Sequence, residues 1–149
     1  MPYSPALPTI AEAIQASLGP VFVLTGIGAL LNVLTGRLAR VVDRVRALEE
    51  RHPQTEAPER ARLIWELRRL AKRMSVINLA LFLAVASAVA TCIVVALLFV
   101  GALTRSHIGH YVAFSFILAM SLLIASFVAF LVEVRLSSSA IRVRDELLQ

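Results

Sequence analysis

Three long stretches without charged residues alternate with charged segments along the chain. Between Glu12 and Arg37 lie 24 residues without Asp, Glu, Lys or Arg; between Arg73 and Arg105 lie 31, and between Arg105 and Glu133 lie 27. A helix of about 20 apolar residues crosses the hydrocarbon core of a bilayer, so each stretch is long enough to span one. The pattern predicts transmembrane helices over residues 19–36, 76–102 and 109–132.

The charged segment between the first two spans keeps helical spacing. Its apolar residues recur three and four positions apart, from Leu38 to Leu48 and again from Leu63 to Met74. We therefore expect the first two spans to continue past the membrane and to pair over residues 37–75 as an antiparallel helical hairpin of the coiled-coil kind. The predicted fold class is all-α, an integral membrane protein of one domain with three transmembrane helices.

The two ends of the chain predict shorter helices. Residues 1–18 fit an amphipathic helix on the membrane surface, because Thr9 and Glu12 have capping-box spacing and apolar residues recur every four positions. Gly19 and Pro20 are expected to turn the chain from that helix into the membrane. Residues 133–149 predict a further helix beyond the third span.

Composition and charge fit a membrane protein and predict its orientation. The chain has 149 residues, of which 58% are hydrophobic and 17% are charged, against about 25% charged in soluble domains. Eleven of its 15 Lys and Arg residues lie in residues 37–73. Since basic loops stay in the cytoplasm, the pattern predicts a membrane protein with its N-terminus outside and its C-terminus cytoplasmic.

The basic residues nearest the predicted membrane edge are candidates for contact with anionic lipid headgroups or with a protein partner. Each basic group near an anionic surface gains about 1 kcal/mol. Part of the charge can instead pair along its own helix, as Arg62 and Glu66 are four residues apart. Lipid contact accounts for the net charge of +5 without nucleic acid. The candidate contact residues are Arg37, Arg40, Arg44, Arg68, Arg69, Lys72 and Arg73.

One acidic residue stands at the inner end of the third span. Glu133 is expected to pair with Arg37 or Arg73, either within one subunit or between two.

Small and polar residues form stripes within each predicted span. In lipid, such residues allow close helix packing and hydrogen bonding between helices, and a polar stripe can also line a pore between subunits. The second span has the stripe Ala80, Ala84, Ser87, Ala88 and Thr91, and the third has Ser115, Ala119, Ser126 and Ala129. The residues that we single out for pore lining or helix packing are Thr25, Gly28, Asn32, Thr35 and Asn78.

The sequence offers little for catalysis or metal binding. Cys92 is the only cysteine, which excludes an internal disulfide and a CxxC motif. His107 and His110 have helical ligand spacing, but two ligands without a nearby acid or thiol make a poor metal site. No P-loop, GxGxxG motif or Ser-His-Asp grouping is present. We expect no enzyme activity, no metal and no cofactor.

Two segments resemble a known family: TGRLARVVDRVRAL at residues 35–48 and VEVRLSSSAIRVRDEL at 132–147, separated by the basic helix LRRLAKRM. Together they resemble the small bacterial membrane family called domain of unknown function 2721, over nearly the whole chain from Ile14. Gly36 stands where we expect Asn in that family's pattern. The resemblance implies a multi-pass inner-membrane protein and implies no activity or site residues.

These observations leave two functions open. One is a homo-oligomer that forms an ion-conducting pore, which the polar stripes and extended helices favour. The alternative is a membrane-anchored scaffold or regulator whose basic hairpin binds a protein partner or anionic lipid. A solute transporter is less favoured, because no inverted repeat or broken helix is visible.

Overall fold

The computed structural model describes residues 6–51, 57–104 and 108–145, with side chains for 10–50, 60, 63–104 and 108–137. The described residues form three helices: α1 (Ala6–Arg51), α2 (Ala57–Thr104) and α3 (Gly109–Asp145). Each contains a segment long and apolar enough to cross a membrane. The all-α fold with three possible spans is therefore as the charge-free stretches predict.

Helix α1 does not break where the sequence predicts a turn. It runs through Gly19 and Pro20 without interruption, so the predicted turn is wrong. Proline removes one backbone donor, but apolar helices tolerate it where neighbouring groups satisfy the freed carbonyl. Pro20 is itself buried, which places it on the packed side of α1.

Buried residues recur every seven positions on all three helices. This period is typical of helices that pack side by side at a small crossing angle. On α1 the buried series is Ala13, Pro20, Ile27, Leu34, Val41 and Leu48. On α2 it is Leu70, Ile77, Ala84 and Thr91, and on α3 it is Ala119, Ser126 and Glu133. Glu133 is the one charged residue in these three series, and its side chain is fully buried.

The chain divides into two compact units, and the first contains α1 up to Leu31, α2 from Leu83 and α3 up to Ile124. Within this unit α2 and α3 approach closely, because the Ser87 hydroxyl donates a 2.8 Å hydrogen bond to the Ala119 carbonyl. Gly101 allows Ile108 to pack on α2, since a Cβ at Gly101 would lie 2.9 Å from the Ile108 side chain. An open apolar cavity of about 460 Å³ lies in the same unit, beside Pro20 and Phe116.

The second unit contains α1 from Asn32, α2 up to Phe82 and α3 from Ala125. Here α1 and α2 share a cluster of the buried residues Val41, Leu48, Leu70 and Ile77. Partly buried residues pack against that cluster: Leu38, Val45, Leu63, Leu67, Met74 and Leu81. The Ser126 hydroxyl of α3 donates a 2.8 Å hydrogen bond to the Ala80 carbonyl of α2. The second unit holds all the charged side chains discussed below.

Candidate functional site

Three helices bring charged side chains to a single point in the second unit. Arg37 ends the charge-free stretch of α1, Arg73 precedes that of α2, and Glu133 follows that of α3. Arg37 Nη1 lies 2.8 Å from Glu133 Oε2, and Arg73 Nη2 lies 3.0 Å from Glu133 Oε1. The predicted pairing of Glu133 is confirmed, with both arginines at once and within one chain. We call these three residues the ion triad.

The ion triad is asymmetric in burial and in charge. Glu133 is fully buried, whereas the side chains of Arg37 and Arg73 are 24% and 21% exposed. A buried carboxylate needs a cation and hydrogen bonds to offset its lost hydration. With two guanidinium groups for one carboxylate, the ion triad keeps one excess positive charge on its partly exposed side.

Two neighbours on α3 complete the surroundings of the arginines. Arg73 Nη2 also donates a 2.9 Å hydrogen bond to the Ser137 hydroxyl, and the Arg37 guanidinium lies 5.4 Å from the centre of the Phe130 ring. Sequence reasoning missed both contacts. Their spacing could have indicated them, since Phe130 and Ser137 lie three and four residues from Glu133 and so share its helix face.

The hydrogen bonding of the ion triad is incomplete. Glu133 Oε2 is held by its 2.8 Å ion pair with Arg37 and has no hydrogen bond among the described residues, and Arg73 Nε has no acceptor there either. Both atoms are buried. The ion triad therefore joins three helices through Coulomb attraction between the carboxylate and the two guanidinium groups more than through a complete set of hydrogen bonds.

A second ion pair lies farther from the apolar stretches. Arg44 donates from Nη2 and Nε to Glu66 Oε1, at 2.9 and 3.2 Å. Their side chains are 55% and 40% exposed, so the pair contributes at most about 1 kcal/mol. Glu66 thus pairs across helices. The alternative partner Arg62, four residues along α2, lies outside the described side chains.

The remaining basic candidates lie on the surface of the second unit. Arg40, Arg68 and Lys72 are exposed, and none forms an ion pair with a described residue. Arg69 is half-buried and its guanidinium lies 5.4 Å from the centre of the exposed Trp65 ring. Arg44 is occupied by Glu66, and Arg37 and Arg73 are occupied by Glu133. We call these three exposed candidates, Arg40, Arg68 and Lys72, the unpaired basic surface, since none forms an ion pair with a described residue.

The polar stripe of α1 faces away from the chain's own helices. Thr25, Gly28, Asn32 and Thr35 are all exposed. The Thr25 and Thr35 hydroxyls donate to carbonyls of their own helix, those of Val21 and Asn32. The side chain of Asn32 has no such bond among the described residues. Asn78 of α2 is likewise exposed and without a side-chain hydrogen bond in this part of the chain.

The stripes of α2 and α3 behave differently, because they pack inside the chain. Ala80, Ala84, Ser87 and Thr91 have no exposed surface, and neither do Ala119 and Ser126. Ala88, Ser115 and Ala129 at the edges of the two stripes are half-buried. Of the three stripes that the sequence predicts, only that of α1 is open to a neighbour.

The described residues offer no metal centre. They hold no group of three His, Cys, Asp or Glu side chains that could bind an ion. His110 is exposed, and His107 lies outside the described residues. Cys92 is exposed on α2.

Comparison with protein families gives one match. The sequence model of a family described as Protein of unknown function (DUF2721) matches residues 17–143. The comparisons with curated proteins and with solved structures each gave no match.

Proposed function

The chain belongs to the DUF2721 family, and from the geometry of its helices we propose that it works in a membrane as a homo-oligomer with an ion-conducting path between its copies. The observation that carries this proposal is the exposure of Asn32 within the apolar stretch of α1, five residues from Arg37. An amide that faces hydrocarbon without a partner costs several kcal/mol. A second copy or water must therefore cover it.

The path is placed between copies because the described interior of the second unit has no room for it. Side chains without exposed surface fill the positions where its helices meet, including Leu34, Ile77 and Glu133. Asn32 and Thr35 of the second unit would line the path, since both are exposed on α1. We also propose that the basic ends of the helices lie on the cytoplasmic side, on the strength of the Lys and Arg count, and that the membrane is a bacterial inner membrane, as the family resemblance implies.

Ion flux into proteoliposomes tests this proposal. We expect flux for the wild-type protein and a reduction of about tenfold or more for Asn32→Leu, because the substitution removes the Asn32 amide from the proposed path. Val33→Leu is the matched control, since Val33 is an exposed apolar neighbour of Asn32. Wild-type proteoliposomes that conduct no ion would overturn the proposed conduction.

A second function has its own support in the unpaired basic surface. Arg40, Arg68 and Lys72 are one to five residues from the arginines of the ion triad. Those arginines flank the charge-free stretches of α1 and α2. At 1.5 Å per residue they lie within about 8 Å of that level along the helices, about one Debye length at physiological salt. We propose that this surface binds anionic lipid headgroups, which would also serve a scaffold or regulator.

Retention of lipid by the purified protein tests the second function. Arg68→Gln with Lys72→Gln is expected to reduce the retained phosphatidylglycerol about fivefold or more, by loss of about 1 kcal/mol for each charge. The control is Arg46→Gln with Arg60→Gln, which removes the same charge from exposed positions about 13 and 20 Å beyond the ion triad. Equal losses in the two variants would contradict a local lipid site.

A further inference from the structure

Asn32 and Asn78 lie at the same depth in the second unit. Arg37 and Arg73 end on the same carboxylate of Glu133, so they mark one level on two antiparallel helices. Asn32 is five residues into the charge-free stretch from Arg37, and Asn78 is five residues into it from Arg73. Both amides therefore lie about 7.5 Å from the level of the ion triad.

The contact between Arg44 and Glu66 supports the same register. Its residue numbers sum to 110, as do those of Arg37 and Arg73. Residues of α1 and α2 whose numbers sum to 110 are thus level with one another. Asn32 and Asn78 form such a pair.

Both amides also point to the same side of the unit. Five residues of an α-helix turn through about 500°, so each Asn lies about 140° around its helix from an arginine that reaches α3. An α-helix is right-handed whichever way its chain runs. A step from each arginine into the charge-free stretch therefore turns in the same direction on both helices when they are viewed from the level of the ion triad. Asn32 and Asn78 therefore lie on the face of α1 and α2 opposite α3, where both are exposed.

The surroundings of the two amides suit close contact with another helix pair. Small side chains let helix backbones approach, and a polar group between them then forms a hydrogen bond. Exposed small residues of the second unit flank the two amides: Thr35, Gly36, Ala39, Ala71 and Ser75. We call this set, with Asn32 and Asn78, the amide face.

We propose that the amide face is the contact between two copies, related by a two-fold axis along the membrane normal, with Asn32 of each copy bonded to Asn78 of the other. This inference rests on the proposed self-association, and the two amide pairs would lie on either side of the two-fold axis, along which the proposed path would run. Two copies inserted in the same orientation have equivalent residues at equal depth. A residue of one copy can therefore contact only residues at its own depth in the other copy, and Asn32 and Asn78 share one depth. Rotation by 180° exchanges the two helices and sets each Asn32 opposite an Asn78.

Amide chemistry fits this arrangement. Each Asn offers two N–H donors and a carbonyl acceptor, so two amides satisfy one another. A hydrocarbon chain in the same place would leave both unsatisfied. A second copy of the chain supplies the amide donors and acceptors that each Asn needs. The same surface of both copies forms the contact, as two-fold symmetry requires.

Disulfide formation between co-expressed variants of different size tests the contact while leaving both amides intact. In a Cys92→Ala background, one copy carries Thr35→Cys and the other Ser75→Cys, a second pair whose numbers sum to 110. We expect a disulfide between the two different copies and little or none between copies of the same variant. Thr35→Cys with Val128→Cys is the control, since Val128 is exposed on α3.

The outcomes separate this contact from self-association itself. Two results would overturn the amide face and leave self-association standing. One is a disulfide between two Thr35→Cys copies. The other is no disulfide between the two different variants in a protein that sediments as a dimer in detergent and in nanodiscs. A monomer in both media would overturn both. Replacement of both amides by leucine is expected to raise the dimer dissociation constant about tenfold, through loss of two interhelical hydrogen bonds; an unchanged constant would contradict the amide pairing.

Discussion

Simultaneous replacement of Arg37 and Arg73 by methionine is expected to destabilise the folded protein by about 3–5 kcal/mol, because it leaves the carboxylate of Glu133 buried without a cation. Glu133 has no exposed surface, so water cannot take the place of the lost guanidinium groups. Each single replacement is expected to cost much less, about 1 kcal/mol, since the other arginine still balances the charge. The effect of the double variant should therefore exceed the sum of the singles.

Thermal unfolding in detergent, followed by circular dichroism and by loss of the monodisperse chromatographic peak, measures these effects. Arg40→Met with Arg68→Met is the matched control, because both residues are exposed and form no ion pair with a described residue. An additive result for Arg37 and Arg73 would show that they do not share Glu133 in solution.

The addition of Glu133→Leu to the double variant distinguishes loss of charge balance from loss of packing. Replacement of a whole buried ion group by apolar residues is often neutral or stabilising. We therefore expect the triple variant to recover most of the stability that the double variant loses. A triple variant as unstable as the double would show that arginine packing, and not the buried charge, holds the three helices.

Much of the ion triad could be predicted from the sequence, for a physical reason. A charge is costly inside hydrocarbon, so the first charged residues at the ends of apolar stretches collect at a common level. Arg37, Arg73 and Glu133 are such residues, which is why their pairing was predictable. Whether Glu133 pairs with arginines of its own chain or of a second chain depends on the rotation of the helices and the distances between them. The positions of charged residues along the sequence do not contain that information.

The polar stripes show where prediction from the sequence ends. Ser87 of α2 and Asn32 of α1 both lie in small-residue stripes, yet Ser87 is fully buried and Asn32 is exposed. Residues of these types can serve either a contact inside one chain or a contact with another molecule. Only the burial of each helix face separates the two uses. Similarly, proline in α1 suggests a turn, whereas a helix in apolar surroundings continues through Pro20.

Replacement of Ala119 by leucine has the second largest expected effect, about 2–3 kcal/mol of destabilisation. Ala119 has no exposed surface, and its carbonyl accepts a 2.8 Å hydrogen bond from the buried Ser87 hydroxyl of α2. Three extra carbon atoms would force α2 and α3 apart, at a cost of about 1–3 kcal/mol for overpacking. The separation would also leave the Ser87 hydroxyl without its interhelical acceptor, which adds about 0.6 kcal/mol or more.

The alanine at position 125 provides the control for this substitution, because it lies six residues along the same helix and is exposed. Ala125→Leu adds the same atoms to a surface that the structure leaves free, so we expect its unfolding midpoint to stay near the wild-type value. Ser87→Ala separates the two contributions, since it removes the hydrogen bond but adds no volume. Ala119→Leu should therefore exceed Ser87→Ala in cost, and equal costs would mean that the hydroxyl contact, and not the close approach of the two helices, sets the stability of the first unit.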